Sequence, residues 1–262
     1  ANGAQTFTLG AASQDVTTGS GAVVIDTGAV VDITDAALDG RNSTTLTINV
    51  AADTDISDAI ITGNLGTQDA NYTIDVAENA DAITMMIAQH ALLGTVTDGG
   101  DATITLSDAG TVTGNASIGA YALATAGGTT FTLGSDTQSV TTGTGGADTV
   151  DVGTRTATGT FTTIATDTIK LDTGADVQGV DSGAGAGGAF TANNLSLVSG
   201  ASVTMTAAQN NSFSGTITAA GSETITLSDA NAATGLTNIE AYTLANGAQT
   251  FTLGAASQDV TT

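Results

Sequence analysis

Short runs in which threonine alternates with an aliphatic residue recur along the whole chain. "TTLTINV", "NYTIDV", "ATITLSD", "SVTMT" and "ETITLSD" are examples, and glycine, asparagine or aspartate residues separate many of these runs. Alternation with a period of two places one face of a β-strand toward a core, and β-branched residues favour this conformation. The pattern predicts many strands of about four to six residues with turns between them.

One segment departs from this alternation. Residues 81–93, "DAITMMIAQHALL", have an apolar spacing that is compatible with a short amphipathic helix as well as with a strand. The matching segment at residues 202–214, "SVTMTAAQNNSFS", has less helical character because it is rich in serine, threonine and asparagine. If the chain contains a helix, we therefore expect it in the first of these two segments.

Long internal repeats dominate the organisation of the chain. The eighteen residues 1–18, "ANGAQTFTLGAASQDVTT", return unchanged as residues 245–262, and a diverged copy lies at residues 130–142. Upstream of these copies, "TITLSDA" occurs at both 103–109 and 224–230. Repetition at a long fixed period is typical of solenoids and tandem arrays.

The repeats divide the chain into modules of roughly 120 residues. We assign residues 1–122 to a first tandem module, residues 123–244 to a second, and residues 245–262 to the start of a third. Because residues 1–18 and 245–262 are identical, we expect them to adopt the same conformation. Phe7, Phe131 and Phe251 should then occupy equivalent core positions.

The composition favours one all-β architecture over another. Of 262 residues, 40% are hydrophobic but only 3% are aromatic, and the chain has 34 glycines and no proline. A core of small side chains must be thin and regular, which suits an elongated β-solenoid, either a parallel β-helix or a β-roll, with roughly 20 residues per coil. A string of β-sandwich modules is the alternative, although sandwiches usually contain more aromatic residues and some proline.

The charge of the chain is strongly one-sided. The chain has 26 acidic residues and only three basic ones, Arg41, Arg155 and Lys170, which gives a formal net charge of -23. Such a chain repels nucleic acid, and its carboxylates must be solvated, protonated or bound to cations. Cysteine is absent, which excludes disulfides. The sequence also contains no run of about 18 apolar residues, so it does not predict membrane insertion.

The strongest chemical motif is "TTGTGGADTVDVG" at residues 141–153. It matches most of the calcium-binding nonapeptide G-G-x-G-x-D-x-U-x, in which glycines permit positive φ and aspartate completes an oxygen cage around Ca²⁺. Thr144 departs from the second glycine of the pattern. The candidate metal-site residues are Gly143, Gly146, Asp148, Asp151, Asp172, Asp176, Asp98 and Asp101. The alternative is that these aspartates are solvated turn residues.

Catalysis finds little support in the sequence. The only histidine, His90, aligns with Asn210 of the second module, and a catalytic residue is not expected in one copy alone. We therefore expect no enzymatic activity and interpret His90 as a surface or packing residue.

Residues 238–262, "NIEAYTLANGAQTFTLGAASQDVTT", together with "TGTGGADTVDV" at residues 142–152, resemble the β-strand repeat regions of very large RTX-type secreted bacterial proteins. That family includes surface-layer proteins and giant adhesins. The resemblance implies export through a type I channel, extracellular calcium binding and a structural role at the cell surface. The implied partners are neighbouring copies of the chain, in tandem, in a filament or in a lattice, and cell-surface polysaccharide.

A binding module is the alternative function. Regular Thr-x-Thr strands could present a flat hydroxyl array to ice or polysaccharide. This function requires Thr-x-Thr at a constant position on successive coils, whereas the pairs recur at irregular intervals along the sequence.

Overall fold

A computed structural model gives the fold of most of the chain. It describes residues 4–18, 20–30, 32–34, 36–39, 45–50, 53–62, 72–76, 82–96, 102–183, 185–192, 194–247 and 249–262. Its secondary structure is almost entirely β-strand, as the alternating pattern predicts. Among the described residues, no helix is long and apolar enough to cross a membrane.

The strands are short and follow one another closely along the chain. The first thirteen are β1 (Gln5–Thr8), β2 (Val16–Thr17), β3 (Ala22–Asp26), β4 (Ala37–Asp39), β5 (Thr45–Val50), β6 (Thr54–Asp55), β7 (Ile60–Thr62), β8 (Tyr72–Val76), β9 (Ala82–Met85), β10 (Leu93–Val96), β11 (Thr103–Leu106), β12 (Thr111–Thr113) and β13 (Ala120–Ala122). The others are β14 (Thr130–Thr132), β15 (Ser139–Thr141), β16 (Thr149–Gly153), β17 (Phe161–Thr162), β18 (Thr168–Leu171), β19 (Asn194–Leu197), β20 (Ser202–Met205), β21 (Ile217–Thr218), β22 (Thr224–Leu227), β23 (Ala233–Thr234), β24 (Ala241–Thr243), β25 (Phe251–Thr252) and β26 (Asp259–Thr261).

These strands form a β-solenoid of about 11 turns, which confirms the predicted fold class. The sheet pairings between named strands are parallel, because each strand pairs with strands one coil earlier or later. The length of a coil varies: Thr224 is in register with Ala241, whereas Thr168 is in register with Asn194. A β-sandwich would instead bring antiparallel neighbours together through hairpins.

The chain divides into two compact units. Unit 1 comprises Ala1–Asp108 with Ser117–Tyr121, and its sheets include the order β1-β3-β5-β8-β10 and the order β2-β4-β7. Unit 2 comprises Ala109–Ala116 with Ala122–Thr262, and its sheets include β12-β14-β16-β18-β19-β21, β20-β22-β24-β26 and β23-β25.

Inward-facing side chains stack in ladders along each unit. In unit 2, Phe131 is in register with Val150, Val150 with Ile169, and Ile169 with Leu195. All four side chains are buried. In unit 1, Ile25, Ile48 and Ile74 form a similar ladder, and each is fully buried. Burial of apolar area in such ladders stabilises coils that individually have no closed core.

Two short helices interrupt the strands at equivalent places in the two modules. α1 (Ile87–His90) forms one turn within residues 81–93, the segment with the possible helix. Strand β9 occupies the first part of that segment, and β10 begins at its last residue. α2 (Ala207–Ser212) lies in the matching segment and is longer, so the expectation that the first segment has the greater helical character was wrong. In both helices the third residue, a glutamine, accepts through Oε1 from the N–H of the N-cap residue, but only in α2 does the N-cap side chain also take part: Thr206 Oγ1 accepts from Gln209 N, whereas Met86 makes no such hydrogen bond.

Candidate functional site

The Gly143–Asp148 corner, residues 143–148, lies between β15 and β16 in unit 2. The Asp148 side chain turns inward, is 1% exposed and accepts two backbone hydrogen bonds. Its Oδ2 accepts from Gly143 N at 2.8 Å, and its Oδ1 accepts from Thr129 N at 2.8 Å. One buried carboxylate therefore closes its own corner and also ties that corner to the preceding coil.

Asp167 repeats this arrangement one coil later. Its Oδ1 accepts from Asp148 N at 2.9 Å, and its Oδ2 accepts from Ile164 N at 2.7 Å and from the Thr142 hydroxyl at 2.6 Å. Asp167 is fully buried. Buried carboxylates need such compensation, because an isolated buried charge is very costly.

Sequence reasoning did not include Asp167 among the candidates. A signal was present, since "DTV" at residues 148–150 and "DTI" at residues 167–169 share an aspartate, a threonine and a β-branched residue. The two stretches are in register, with Thr149 beside Thr168 and Val150 beside Ile169. We call Asp148 and Asp167, with the donors that bind them, the aspartate ladder.

Gly143 and Gly146 serve this corner for a different reason from the predicted one. Neither has positive φ, so the expected left-handed turn is absent at both positions. A Cβ at Gly143 would overlap the carbonyl oxygen of Ala124, and a Cβ at Gly146 would lie 2.7 Å from the carbonyl oxygen of Ala126. The glycines are needed because the backbones of two successive coils touch at this corner.

Asp151 and Asp172 share a basic neighbour. Asp151 Oδ2 accepts from Lys170 Nζ at 2.6 Å, and Asp151 Oδ1 accepts from Gly153 N at 3.0 Å. The hydrogen bond that Lys170 donates to Asp151 holds the pKa of Lys170 above its ordinary value, and the charge of Asp172 acts in the same direction. Asp172 Oδ1 is buried without a hydrogen-bond partner among the described residues.

The other candidates lie apart from these two groups. The carboxylate of the half-buried Asp176 accepts from Gln178 N at 3.0 Å and from Gln178 Nε2 at 2.9 Å. Asp98 and Asp101 fall outside the described residues. In the part of the chain that the structure describes, no group of three or more His, Cys, Asp or Glu side chains is arranged to hold a metal ion. Calcium binding therefore stays a prediction.

Glutamine side chains brace equivalent corners of the two modules. Gln89 Nε2 donates to Ile56 O and Ala59 O, and its counterpart Gln209 donates to Val177 O at 2.7 Å. Each of the two glutamines also accepts, through Oε1, the backbone N–H three residues earlier. Because an amide side chain both donates and accepts, one glutamine links its own corner to carbonyl groups of an earlier coil.

The environment of His90 explains why asparagine replaces it in the second module. His90 Nε2 lies 2.8 Å from the Tyr121 hydroxyl, and in unit 2 the Tyr242 hydroxyl donates to Asn210 Oδ1 at 3.1 Å. Both His90 and Asn210 are buried, and burial lowers the pKa of His90. The two residues have the same role, as polar partners of a buried tyrosine.

A further buried acid, Glu223, depends on backbone donors. Burial acts to raise its pKa, but hydrogen bonds from backbone N–H groups outweigh burial and lower the pKa to about 2. The donors are Gly200, Ala220, Gly221 and Ser222. This carboxylate is therefore ionised at neutral and mildly acidic pH, and it braces the turn before β22.

Comparison with known proteins identifies no matching family model, no matching curated protein and no matching solved structure.

Proposed function

We propose that the chain is a structural repeat segment of a large secreted, calcium-stabilised bacterial surface or extracellular-matrix protein, such as a fibre, a surface layer or an adhesin stalk, and that it has no catalytic activity. The observation that carries this proposal is the duplication of bracing contacts between modules. Gln89 and Gln209 make the same kind of hydrogen bond, and so do Asp108 Oδ1 with Ile87 N and Asp229 Oδ1 with Ala207 N.

Duplicated bracing contacts support a structural role, because the hydrogen bonds that are repeated are those that hold successive coils together. His90 is the residue best suited to acid–base chemistry, yet its place in the second module is filled by Asn210, which makes the equivalent contact to a tyrosine. This polar difference between the modules is therefore an exchange within one packing role. A solenoid whose coils contact only their neighbours gains stability with each added coil.

Calcium is part of the proposal because the chain has a large excess of acidic residues. The described basic side chains Arg155 and Lys170 pair with Asp136 and Asp151, which leaves most of the 26 acidic residues of the chain without a basic partner. Carboxylates about 5 Å apart on successive coils repel by roughly 1 kcal/mol in water and by more at lower dielectric. Calcium accepts carboxylate and carbonyl oxygens together and would remove this repulsion.

We expect millimolar calcium to raise the melting temperature above its value in chelator. A ligand that binds only the folded chain, at a concentration of 100 Kd, adds about 2.7 kcal/mol to the free energy of unfolding. The measurement is thermal unfolding followed by circular dichroism. Sodium chloride at matched ionic strength is the control for simple screening. Identical curves in chelator, sodium and calcium would contradict the calcium part of the proposal.

A specific observation also favours the hydroxyl-array function. Thr111, Thr130, Thr149 and Thr168 are in register on four successive strands, and Thr113 and Thr132 begin a second column beside them. None of these six hydroxyls has a hydrogen-bond partner among the described residues. The fold thus satisfies the requirement for constant position on these strands, although Asp151 and Lys170 interrupt the second column.

Thermal hysteresis separates the two functions. If the chain has only a structural role, its solution should freeze at a temperature no lower than a solution of an inert protein at the same concentration. An ice-binding array predicts measurable hysteresis that Thr149→Lys abolishes, because a long charged side chain would stand in the middle of the first column. The matched control is Thr162→Lys on β17, an exposed threonine in a different sheet.

A further inference from the structure

His90 and its counterpart Asn210 differ in one chemical respect: an imidazole gains a proton in mildly acidic surroundings, whereas an amide does not. The chain has one histidine and no cysteine. Histidine is the side chain whose ordinary pKa lies between pH 5 and pH 8, and ordinary carboxylates stay ionised over most of that range. On ordinary pKa values, His90 is therefore the side chain whose charge changes when the surroundings become mildly acidic.

The His90 side chain lies in the interior of unit 1. Its Nε2 is 2.8 Å from the hydroxyl of Tyr121, and the two rings meet edge to face with their centroids 5.5 Å apart. His90 is 7% exposed and Tyr121 is 1% exposed. His90 follows β9, Tyr121 lies on β13, and β11 stands between these two strands in the sheet. The contact therefore joins the chain after β9 to a strand two places further along the sheet.

The equivalent contact in unit 2 indicates the direction of the hydrogen bond. Leu236 N donates to the Tyr242 hydroxyl at 2.8 Å, and that hydroxyl donates to Asn210 Oδ1. By this equivalence, His90 Nε2 accepts from Tyr121 and the imidazole carries its proton on Nδ1. Protonation would turn Nε2 from an acceptor into a donor, so the hydrogen bond to the Tyr121 hydroxyl would have to reverse.

No carboxylate is placed to compensate a charged imidazole. The acidic residues on the described segments that contact α1 are Asp55, Asp58 and Asp108. Asp108 accepts from the first N–H of α1, Asp55 accepts hydrogen bonds within its own turn, and Asp58 is exposed. Among the described residues, none of the three forms an ion pair with His90, and the first turn of α1 has no acidic residue. A buried charge without a partner is costly.

This cost links the stability of unit 1 to pH. Burial lowers the pKa of His90 from its ordinary value of 6.5. Just below pH 6.5 the unfolded chain, in which histidine has its ordinary pKa, therefore binds more protons than the folded chain. The contribution of His90 to stability is complete above pH 6.5 and is lost progressively as the pH falls from 6.5 to the lowered pKa.

We propose that the His90–Tyr121 contact is an acid-sensitive switch: in mildly acidic surroundings the coils of unit 1 between β9 and β13 open, while the matching coils of unit 2 stay closed. Coils of a solenoid contact only their neighbours, so a few of them can open without global unfolding. In unit 2, Asn210 makes the contact with an amide that does not titrate in this range, and Glu223, with a pKa of about 2, stays ionised. The proposal goes beyond the structural function and does not require calcium.

The first test is a proton NMR titration of the imidazole. Because the chain has a single histidine, the ring C–H signals belong to His90 without further assignment. The folded chain should titrate with a midpoint below that of the same chain unfolded in urea. A midpoint equal to that of the unfolded chain, or above it, would overturn the proposal.

Thermal unfolding at about pH 7.5 and about pH 5.5 measures the effect on stability. His90→Asn is the matched variant, because it copies the arrangement of unit 2 and retains every acidic group. Ionic strength is fixed, and chelator is present throughout. Between the two pH values the melting temperature of the wild type should fall by at least about 2 °C more than that of His90→Asn. Equal losses would contradict the proposal.

Hydrogen exchange locates the opening. At about pH 5.5, peptides from residues 82–122 should exchange faster in the wild type than in His90→Asn, and peptides from residues 202–243 should exchange equally in both. Asn210→His should transfer the acid sensitivity to residues 202–243. Equal exchange of residues 82–122 in the wild type and His90→Asn would overturn the proposal. Because these measurements are made in chelator, their outcome is separate from that of the calcium experiment.

Discussion

Gly134→Ala is expected to destabilise the fold by about 3 kcal/mol, because the added Cβ would overlap the carbonyl oxygen of Gly114. Backbone on both sides of the contact leaves little room for adjustment, so the two coils would have to separate. The measurement is urea unfolding followed by circular dichroism, with the free energy taken from the midpoint and slope.

Gly10→Ala is the matched control for this prediction. It makes the same change at the same position of the repeated coil, but the nearest atom to its Cβ is 3.7 Å away. Both variants should be measured at the same protein concentration. Equal losses of stability in the two variants would show that the glycine matters through the local backbone of the coil and not through stacking.

Asp167→Asn is expected to lower the free energy of unfolding by about 2 kcal/mol. Both oxygens of this fully buried carboxylate accept backbone N–H groups, from Asp148 and from Ile164. An amide NH₂ would face one of these donors in either orientation of the side chain. A buried donor would then lose its partner.

Asp176→Asn serves as the control for the loss of one negative charge. The carboxylate of the half-buried Asp176 accepts only from Gln178 among the described residues, and an asparagine Oδ1 can still accept from Gln178 N, so its replacement should change stability by less than about 0.5 kcal/mol. Removing a negative charge from a strongly acidic chain could by itself be stabilising, and the control measures this contribution. An Asp167→Asn variant as stable as the wild type would mean that the aspartate ladder does not hold the coils together.

Local pattern was enough to predict the fold class. Alternation of threonine with aliphatic residues predicts strands, and a core poor in aromatic residues can be filled only if short strands stack on one another in a thin layer. The repeated sequence also predicts that Phe7, Phe131 and Phe251 occupy equivalent core positions. All three lie on paired strands, but only Phe131 is fully buried, whereas Phe7 is 38% exposed and Phe251 is half-buried, so the core part of the prediction holds for Phe131 alone.

Only part of the candidate site could be predicted from the sequence. Gly143, Gly146 and Asp148 were identified together through one local motif, and the structure places them at one corner. The motif could not show that Asp148 binds an amide of Thr129 and that Asp167 continues the ladder, because these contacts join residues 19 positions apart. Their spacing depends on the length of the intervening coil, which no local pattern specifies.

By itself, the sequence determined that the chain is all-β, that it repeats, and that glycine and aspartate lie at its corners, because strand alternation, repetition and turn composition are properties of neighbouring residues. Only the tertiary structure decided why a glycine is required at Gly134, and which donors bind Asp167. The physical reason is that close approach and hydrogen bonding between coils depend on which coils become neighbours in space.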